Sequence, residues 1–150
     1  MRDIRFRGKR LDNGEWVHGK LLTKKSETFI VCEEETSHGF KGEKELFAVE
    51  WSIAEVDPAT VGQFTGLTDK AGREIYEGDI VRCKKYIGGN FVEYCYEFGY
   101  VEFVYGAFGL HRRQGFYRPF KDWLEDYEFE VIGNIYQNGD LLDEVKPDES

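Results

Sequence analysis

Apolar and polar side chains alternate along several parts of the chain, and this alternation predicts β-strands. At the N-terminus Ile4 and Phe6 alternate with basic residues, and residues 92–98 carry an apolar or aromatic side chain at every second position. A period of two is typical of a strand that buries one face. Seventeen glycines interrupt these runs, as in a chain of strands joined by tight turns. The pattern predicts a mainly β fold.

The first third of the chain predicts an N-terminal β-meander. Residues 12–14 (Asp-Asn-Gly) tolerate the positive φ of a tight turn, so the first strand should form a hairpin with residues 15–22. Further strands are predicted at residues 28–32 and 45–50. The acidic, glycine-containing segment between them, residues 33–44, is predicted to be an exposed loop.

The rest of the chain predicts a second set of strands and one short helix. Trp123, Leu124 and Tyr127 recur at helical spacing, which predicts a helix over residues 121–127. Glycines again mark the turns between the predicted strands. These strands are residues 60–64, 80–86, 92–98, 100–105 and 129–136.

A proline marks a predicted boundary between two lobes. Pro58 cannot donate a backbone hydrogen bond to a ladder, and it restricts Asp57 to extended geometry. The sequence therefore predicts an N-terminal β lobe over residues 1–56 and a second lobe over residues 57–136. The polar and acidic residues that remain, 137–150, are predicted to form a C-terminal tail.

The formal net charge of −9 is unevenly distributed. Residues 1–25 carry eight basic and three acidic side chains, whereas residues 122–150 carry one basic and ten acidic side chains. Such asymmetry can steer one end of a subunit toward another subunit or toward a charged partner. The simpler interpretation, an acidic tail that keeps the chain soluble, is favoured.

The basic side chains of the first strand have two interpretations. Arg5, Arg7 and Lys9 occupy alternate positions and therefore share one face of the predicted strand. They could form a cationic binding surface, or they could be the solvated face of the sheet. The second interpretation is favoured, because a solvated polar face is the ordinary outcome for a half-buried antiparallel sheet.

Cysteine usage and hydropathy predict a soluble, cytoplasmic protein. Cys32, Cys83 and Cys95 are odd in number and scattered, which favours reduced thiols over a disulfide framework. No stretch approaches the roughly 18 consecutive apolar residues of a membrane span. The basic N-terminus lacks the apolar segment of a signal peptide.

No residue pattern predicts a metal site, a cofactor or catalysis. His18, His38 and His111 lie far apart, and the histidines and cysteines lack the short spacings of zinc ligands. None of the serines lies in a nucleophile elbow. The paired glycines lie between predicted strands rather than ahead of a helix, so they do not form a phosphate loop. The chain is predicted to be non-enzymatic.

An enzyme remains an alternative hypothesis, in two forms. Nearby cations lower the pKa of a thiol, so Arg82 and Lys84 would activate Cys83 if they lay beside its sulfur. In an extended strand, however, adjacent side chains point to opposite faces, so Cys83 is predicted to be a small buried residue. The other form is a catalytic carboxylate pair, since acidic side chains are abundant.

The segment most typical of a binding surface is residues 111–120, in which basic side chains are interleaved with aromatic rings. Such a combination suits single-stranded nucleic acid, but Arg, Tyr and Phe are also enriched at protein interfaces. Because the net charge of −9 opposes non-specific binding of phosphates, the protein interface is favoured. The predicted surface comprises Arg112, Arg113, Phe116, Tyr117 and Arg118.

Three stretches together point to a protein family. They are residues 5–9 (RFRGK) with residues 14–17 (GEWV), residues 61–81 with VGQFTGL and EIYEGDIV at its two ends, and residues 131–136 (VIGNIY). In these stretches the chain resembles the YopX protein family, small proteins of phages and prophages of Gram-positive bacteria. Between them, residues 24–56 and 84–120 match little.

The resemblance implies a β-rich N-terminal part followed by an SH3-type, partly open β-barrel, and it carries no catalytic or binding residue over to this chain. With the residue patterns, it predicts a non-enzymatic phage accessory protein in the cytoplasm of the bacterial host. Such a protein would bind another protein or associate with itself as a homo-oligomer. A single-stranded nucleic-acid-binding module and an unrecognised enzyme are the alternatives.

Overall fold

The computed structural model describes residues 3–38, 46–87, 90–112, 117–122 and 127–141. In these residues the fold is mainly β, as predicted, and no helix reaches seven residues. The strands are β1 (Phe6–Lys9), β2 (Trp16–Lys24), β3 (Glu27–His38), β4 (Leu46–Glu55), β5 (Gly62–Thr68), β6 (Glu74–Tyr76), β7 (Asp79–Ile87), β8 (Asn90–Val104), β9 (Ala107–Arg112), β10 (Tyr117–Pro119) and β11 (Tyr127–Asn134). Two short 3-10 helices are η1 (Pro58–Thr60) and η2 (Phe120–Asp122).

The chain forms two compact units, which divide between Gln63 and Phe64 within β5. In the first unit the strands lie in the order β4-β3-β2-β1-β5, and all neighbours are antiparallel. β1 to β4 are consecutive neighbours, so they form the predicted meander. In the second unit β5 pairs with β6, and a five-stranded antiparallel sheet has the order β10-β9-β8-β7-β11.

The structure corrects the prediction of an exposed loop over residues 33–44. β3 continues to His38 and pairs with β4 along this stretch, with Glu33 opposite Trp51. Residues 39–45 lie outside the described residues. The acidic composition misled the prediction, because a ladder satisfies the backbone hydrogen bonds whatever charge the side chains carry.

The predicted helix over residues 121–127 is wrong at its end. A 3-10 turn, Phe120–Asp122, occupies its start, residues 123–126 lie outside the described residues, and Tyr127 is the first residue of β11. β11 pairs with β7 along its length and buries Phe129 in the core. This pairing outweighs the local preference of a few apolar residues at helical spacing.

β1 does not present all of its basic side chains to solvent. Arg7 is only 8% exposed, and its guanidinium carbon lies 4.7 Å from the centre of the Trp16 ring. Lys9 Nζ lies 5.7 Å from the same ring. The aromatic face attracts the cations and covers the arginine stem. The interpretation of the basic stripe as a solvated face is therefore wrong for Arg7.

The strands are interrupted at Asp57 and Pro58, where the sequence predicts a lobe boundary. β4 ends at Glu55, Asp57 is extended (φ −70°, ψ 116°) and Pro58 begins η1. The turn is tied to β1 by two hydrogen bonds. Asp57 N donates to Lys9 O (2.8 Å), and Lys9 N donates to Thr60 Oγ1 (2.9 Å).

One face of the five-stranded sheet packs on a hydrophobic core. β10 and β11 are the outermost strands, so the ladders of the described residues leave the sheet open. Cys83 is completely buried in this core, as predicted. The buried cluster consists of Ile75, Val81, Cys83, Val101, Leu110, Phe120 and Phe129.

The Asp69 carboxylate joins the turn before β6 to β11. Its Oδ1 accepts hydrogen bonds from the backbone N–H groups of Ala71 (2.9 Å) and Arg73 (2.8 Å), and its Oδ2 accepts one from Val131 (3.0 Å). Burial by itself would raise the pKa of Asp69. The three backbone donors outweigh it and hold the pKa below its ordinary value.

Gly78 connects three segments of the second unit. Its N–H donates to Val101 O (2.9 Å), and its carbonyl oxygen accepts from Ile135 N (2.8 Å). Gly78 has a φ of 88°, and a Cβ added to it would lie 2.8 Å from Tyr136 Cε2. Both the conformation and the close approach require glycine. This part of the YopX-like stretch therefore has a structural role.

Replacement of Gly19 should strongly destabilise the first unit. A Cβ added to Gly19 would lie 2.1 Å from Val31 O, so Gly19→Ala forces β2 and β3 apart. We expect a loss of about 3 kcal/mol in the free energy of unfolding, measured by urea denaturation. Gly14→Ala is the control: its φ of 72° is strained, but no atom lies within 4 Å of the added Cβ. An equal effect of the two variants would contradict the close-approach argument.

Asp69→Asn should destabilise the chain at neutral pH. The amide lacks the charge and retains one acceptor oxygen for three donors, so we expect a loss of about 2 kcal/mol in the free energy of unfolding. A carboxyl with a lowered pKa in the folded state stabilises above its unfolded pKa of about 4, and this contribution is lost as the pH falls through the folded pKa.

Urea denaturation between pH 7 and pH 2.5 checks this expectation. The difference in the free energy of unfolding between the wild-type chain and Asp69→Asn should shrink as the pH falls below about 4. The control is Asp12→Asn, since Asp12 is exposed and its lowered pKa comes from its hydrogen bond to Arg10. We expect a much smaller effect for this surface pair. A difference for Asp69→Asn that is constant with pH would refute the role of the ionised carboxylate.

Candidate binding surface

The predicted binding segment lies at β9 and β10, on one edge of the five-stranded sheet. Arg112 is the last residue of β9 and is paired with Gly99. Tyr117 and Arg118 are the first two residues of β10. The side chain of Arg112 and the whole of residues 113–116, which include two members of the predicted surface, lie outside the described parts of the chain.

Tyr117 and Arg118 lie on opposite faces of β10. Tyr117 is paired with His111, whereas Arg118 is paired with Leu110, a residue of the core face. The Arg118 guanidinium carbon lies 5.8 Å from the centre of the Tyr127 ring, and Nη2 donates to the backbone oxygen of Asp122 (3.0 Å). The structure thus separates this arginine from Tyr117 and gives it contacts within its own unit.

The face that carries Tyr117, which we call the polar face, gathers a row of ring side chains across three strands. Tyr100 is paired with His111, and His111 is paired with Tyr117. The rings of Tyr100 and His111 are stacked, with centroids 5.1 Å apart and an interplanar angle of 14°. Glu102 Oε2 lies 2.9 Å from His111 Nδ1. The polar face can therefore offer rings, a carboxylate and an imidazole to a ligand.

Sequence reasoning missed Tyr100 and Glu102 as neighbours of His111. The period-two alternation of β8 was the available signal, since it assigns both residues to one face. Their pairing with β9 could not be obtained without the register.

The Tyr117 ring packs against the backbone of the β8–β9 hairpin. Its hydroxyl donates to Ala107 O, and a Cβ added at Gly109 would lie 2.8 Å from its Cε2. The ring fits at this position because Gly109 has no side chain. Burial raises the pKa of Tyr117 and of Tyr100, and the charge of Glu102 acts in the same direction. The hydroxyls are therefore protonated at neutral pH.

The other end of the polar face is ionic. Arg82 and Glu130 are paired across β7 and β11, and Arg82 Nη2 lies 2.7 Å from Glu130 Oε1. Lys70 Nζ lies 3.1 Å from Glu130 Oε2. The hydrogen bond from Lys70 is the main reason that the pKa of Glu130 is lowered. The one carboxylate of Glu130 thus forms ion pairs with two cations.

The tip of the β8–β9 hairpin presents aromatic side chains to solvent. Val104 and Ala107 are paired, so Tyr105 and Gly106 form a two-residue turn. Their φ angles of 52° and 78° are those of a type I′ turn. Tyr105 is 99% exposed and Phe103 is 49% exposed. We call Phe103, Tyr105 and the adjacent Phe108 the aromatic tip.

The residue at the first turn position is unusual for its conformation. Type I′ turns favour Asn, Asp or Gly at this position, because a larger side chain with positive φ is strained by about 1–2 kcal/mol. Tyr105 gains no packing in return, since its ring is exposed. By contrast, Phe103 packs edge-to-face on Phe108, with ring centroids 4.8 Å apart. The fold therefore keeps an exposed tyrosine at an energetic cost.

The described residues contain no group of three His, Cys, Asp or Glu side chains that could hold a metal ion. Cys83, the one nucleophile that the sequence singles out, lies in the core. The second unit presents exposed aromatic rings to solvent at the aromatic tip.

Comparison with protein families found a matching family model. The family model described as YopX protein matches residues 5–143, which is most of the chain. The chain belongs to the YopX protein family. No curated protein matches the YopX chain. In the described residues, no helix is both long and apolar enough to cross a membrane.

Loss of the Tyr117 hydroxyl should loosen the aromatic tip. Tyr117→Phe removes the hydrogen bond to Ala107 O and leaves that carbonyl without this donor. We expect a loss of about 1 kcal/mol in the free energy of unfolding and faster amide hydrogen exchange at the β8–β9 turn. Tyr105→Phe makes the same chemical change at an exposed ring and should have no effect. Unchanged exchange at the turn in Tyr117→Phe would contradict the proposed contact.

Proposed function

We propose that this YopX protein is a non-enzymatic binding protein and that the aromatic tip is its anchor for a protein partner. The observation that carries the proposal is Tyr105, which is 99% exposed in a conformation that favours other residues. Backbone strain that the fold does not need is typical of functional positions. Tyrosine is also among the residues that dominate the binding energy of protein interfaces.

The hairpin suits a role as a preorganised anchor. A two-residue turn holds Tyr105, and Phe103 packs on Phe108 directly behind it. The Tyr117 hydroxyl donates a hydrogen bond to the backbone oxygen of Ala107, the first residue after the turn. An anchor held in this way loses little conformational entropy when it enters a pocket on a partner. We propose a concave apolar pocket as the complementary surface.

A protein partner accounts for the second unit better than single-stranded nucleic acid does. Arg118, one of the arginines of that alternative, lies over Tyr127 and is bonded to Asp122 O. Its neighbour Tyr117 lies on the other face of β10. The net charge of −9 also opposes phosphate binding. An enzyme that uses Cys83 is disfavoured, because the thiol is buried among apolar residues.

Membership of the YopX family supports two further proposals, one about the biological origin of the protein and one about its fold. We propose a phage or prophage accessory protein that acts in the cytoplasm of its bacterial host. We further propose that the second unit is an SH3-type, partly open barrel. Four consecutive strands, β7 to β10, are followed by the 3-10 turn η2 and by β11, which returns beside β7. That order of strands supports the SH3-type assignment.

Tyr105→Asn tests the proposed function. Asn-Gly is the favoured sequence of a type I′ turn, so we expect the variant to gain about 1 kcal/mol in the free energy of unfolding. We also expect it to lose the partner that the wild-type chain captures stoichiometrically from host lysate. Thermal unfolding and affinity capture measure the two effects.

The matched control is Lys25→Asn in the turn between β2 and β3. Lys25 has a positive φ of 55°, and asparagine adopts this conformation with less strain than lysine does. This variant should be stabilised in the same way and should keep the partner. Equal capture by Tyr105→Asn and the wild-type chain would remove the aromatic tip from the proposal. Salt-dependent retention on single-stranded DNA that is lost in Arg112/Arg113→Ala would instead favour the nucleic-acid alternative.

A further inference from the structure

The sheet of the first unit has two faces of different character. One face is buried and carries Ile30, Ala54 and Val56. The residues at the alternate positions of β2, β3 and β4 point to the other face. On that face Leu22 is opposite Phe29, and Val31 is opposite Ile53. We call these four residues the apolar strip.

The apolar strip is accessible to solvent. Ile53 is 62% exposed and Leu22 is 48% exposed, while Phe29 and Val31 are half-buried between them. An apolar side chain exposed singly is ordinary in a soluble protein, but four that are neighbours on one face of paired strands form a continuous patch. Such a patch indicates an interaction surface.

Cationic side chains border the apolar strip on the side of β1. Lys20 is opposite Val31, and it shares the face with Lys9 and Trp16. Neither β1 nor β2 contains an acidic residue. Among the side chains of this face that the structure describes, the acidic ones are those of Glu27, which is paired with Lys24, and Glu55, which is paired with Phe29.

We infer that this face of the first unit binds an acidic polypeptide segment that carries apolar side chains. In a chain of net charge −9, a segment with Asp or Glu is attracted to the basic border at Lys9 and Lys20 by charge complementarity. The apolar side chains of the segment cover the apolar strip.

A polypeptide fits the face better than the other anionic or apolar occupants do. The aliphatic side chains of Leu22, Val31 and Ile53 offer nothing to a phosphate, and Phe29 is the single ring of the apolar strip on which a base could stack. The inference is independent of the aromatic tip, because it concerns the other unit and a partner of different chemistry.

The test uses the full chain and a defined probe. The probe is a fluorescein-labelled random copolymer of Glu and Tyr, and poly-Glu of equal length is its charge-matched counterpart. Fluorescence anisotropy measures the dissociation constant at low and at moderate salt. We expect the wild-type chain to bind the copolymer more tightly than poly-Glu, with an affinity that falls as salt rises.

Substitutions on the two parts of the face should weaken the binding separately. We expect Leu22→Ser/Ile53→Ser to raise the dissociation constant for the copolymer about tenfold, because both apolar contacts are lost. Lys20→Ala should raise it about threefold and reduce its salt dependence. Leu11→Ser is the apolar control, since Leu11 is 58% exposed but lies in the turn between β1 and β2 and does not belong to the apolar strip. Lys121→Ala, which removes an exposed charge from the second unit, is the charge control.

Three results would overturn the inference. They are the absence of copolymer binding by the wild-type chain at low salt, equal binding by Leu22→Ser/Ile53→Ser, and preferential binding of a dT20 oligonucleotide or of anionic lipid vesicles that the same substitutions abolish. Chemical-shift mapping on the wild-type chain serves if a variant fails to fold. Shifts caused by the copolymer should concentrate at Lys20, Leu22, Phe29, Val31 and Ile53, and shifts located elsewhere would also refute it.

Discussion

The buried carboxylate of Asp69 is the constraint on which the second unit depends. A charged carboxylate without hydrogen-bond donors would be costly to bury, yet here three backbone N–H groups surround it, two from its own turn and one from Val131 in β11. The same side chain therefore shapes the turn before β6 and fixes where the last strand lies. Gly78 adds a second junction, because its backbone bonds both Val101 and Ile135. The long YopX-like stretch thus contains the residues that join the strands of the unit.

The two proposed binding features expose side chains that do not belong to the core, among them Tyr105 and Ile53. The aromatic tip projects from a two-residue turn, and the apolar strip lies on the solvent face of the other unit's sheet. Rings and aliphatic side chains in these places are not explained by packing, since Tyr105 and Ile53 are exposed. Rigid sheets that carry exposed apolar groups are suited to recognition by other proteins.

The predicted surface at residues 112–118 shows the limit of a linear motif. The interleaving of Arg and aromatic residues begins in β9 and ends in β10, beside the β8–β9 hairpin. It suggested one continuous surface, however, and β-strand geometry places Tyr117 and Arg118 on opposite faces. The residues that do face Tyr117 across the sheet, His111 and then Tyr100, come from two other strands. A linear motif cannot give such neighbours, because they depend on strand register.

The sequence by itself determined the mainly β class, the meander of the first four strands, the break at Pro58, the burial of Cys83 and membership of the YopX family. These follow from period-two alternation, from turn residues and from a long matching stretch, all of which are local in the chain. Only the tertiary structure decided that Arg7 is buried against Trp16, that β3 extends to His38 and that Tyr127 begins a strand. Each of these depends on a partner from another strand, and the free energy of that pairing exceeds the local preference of the residues involved.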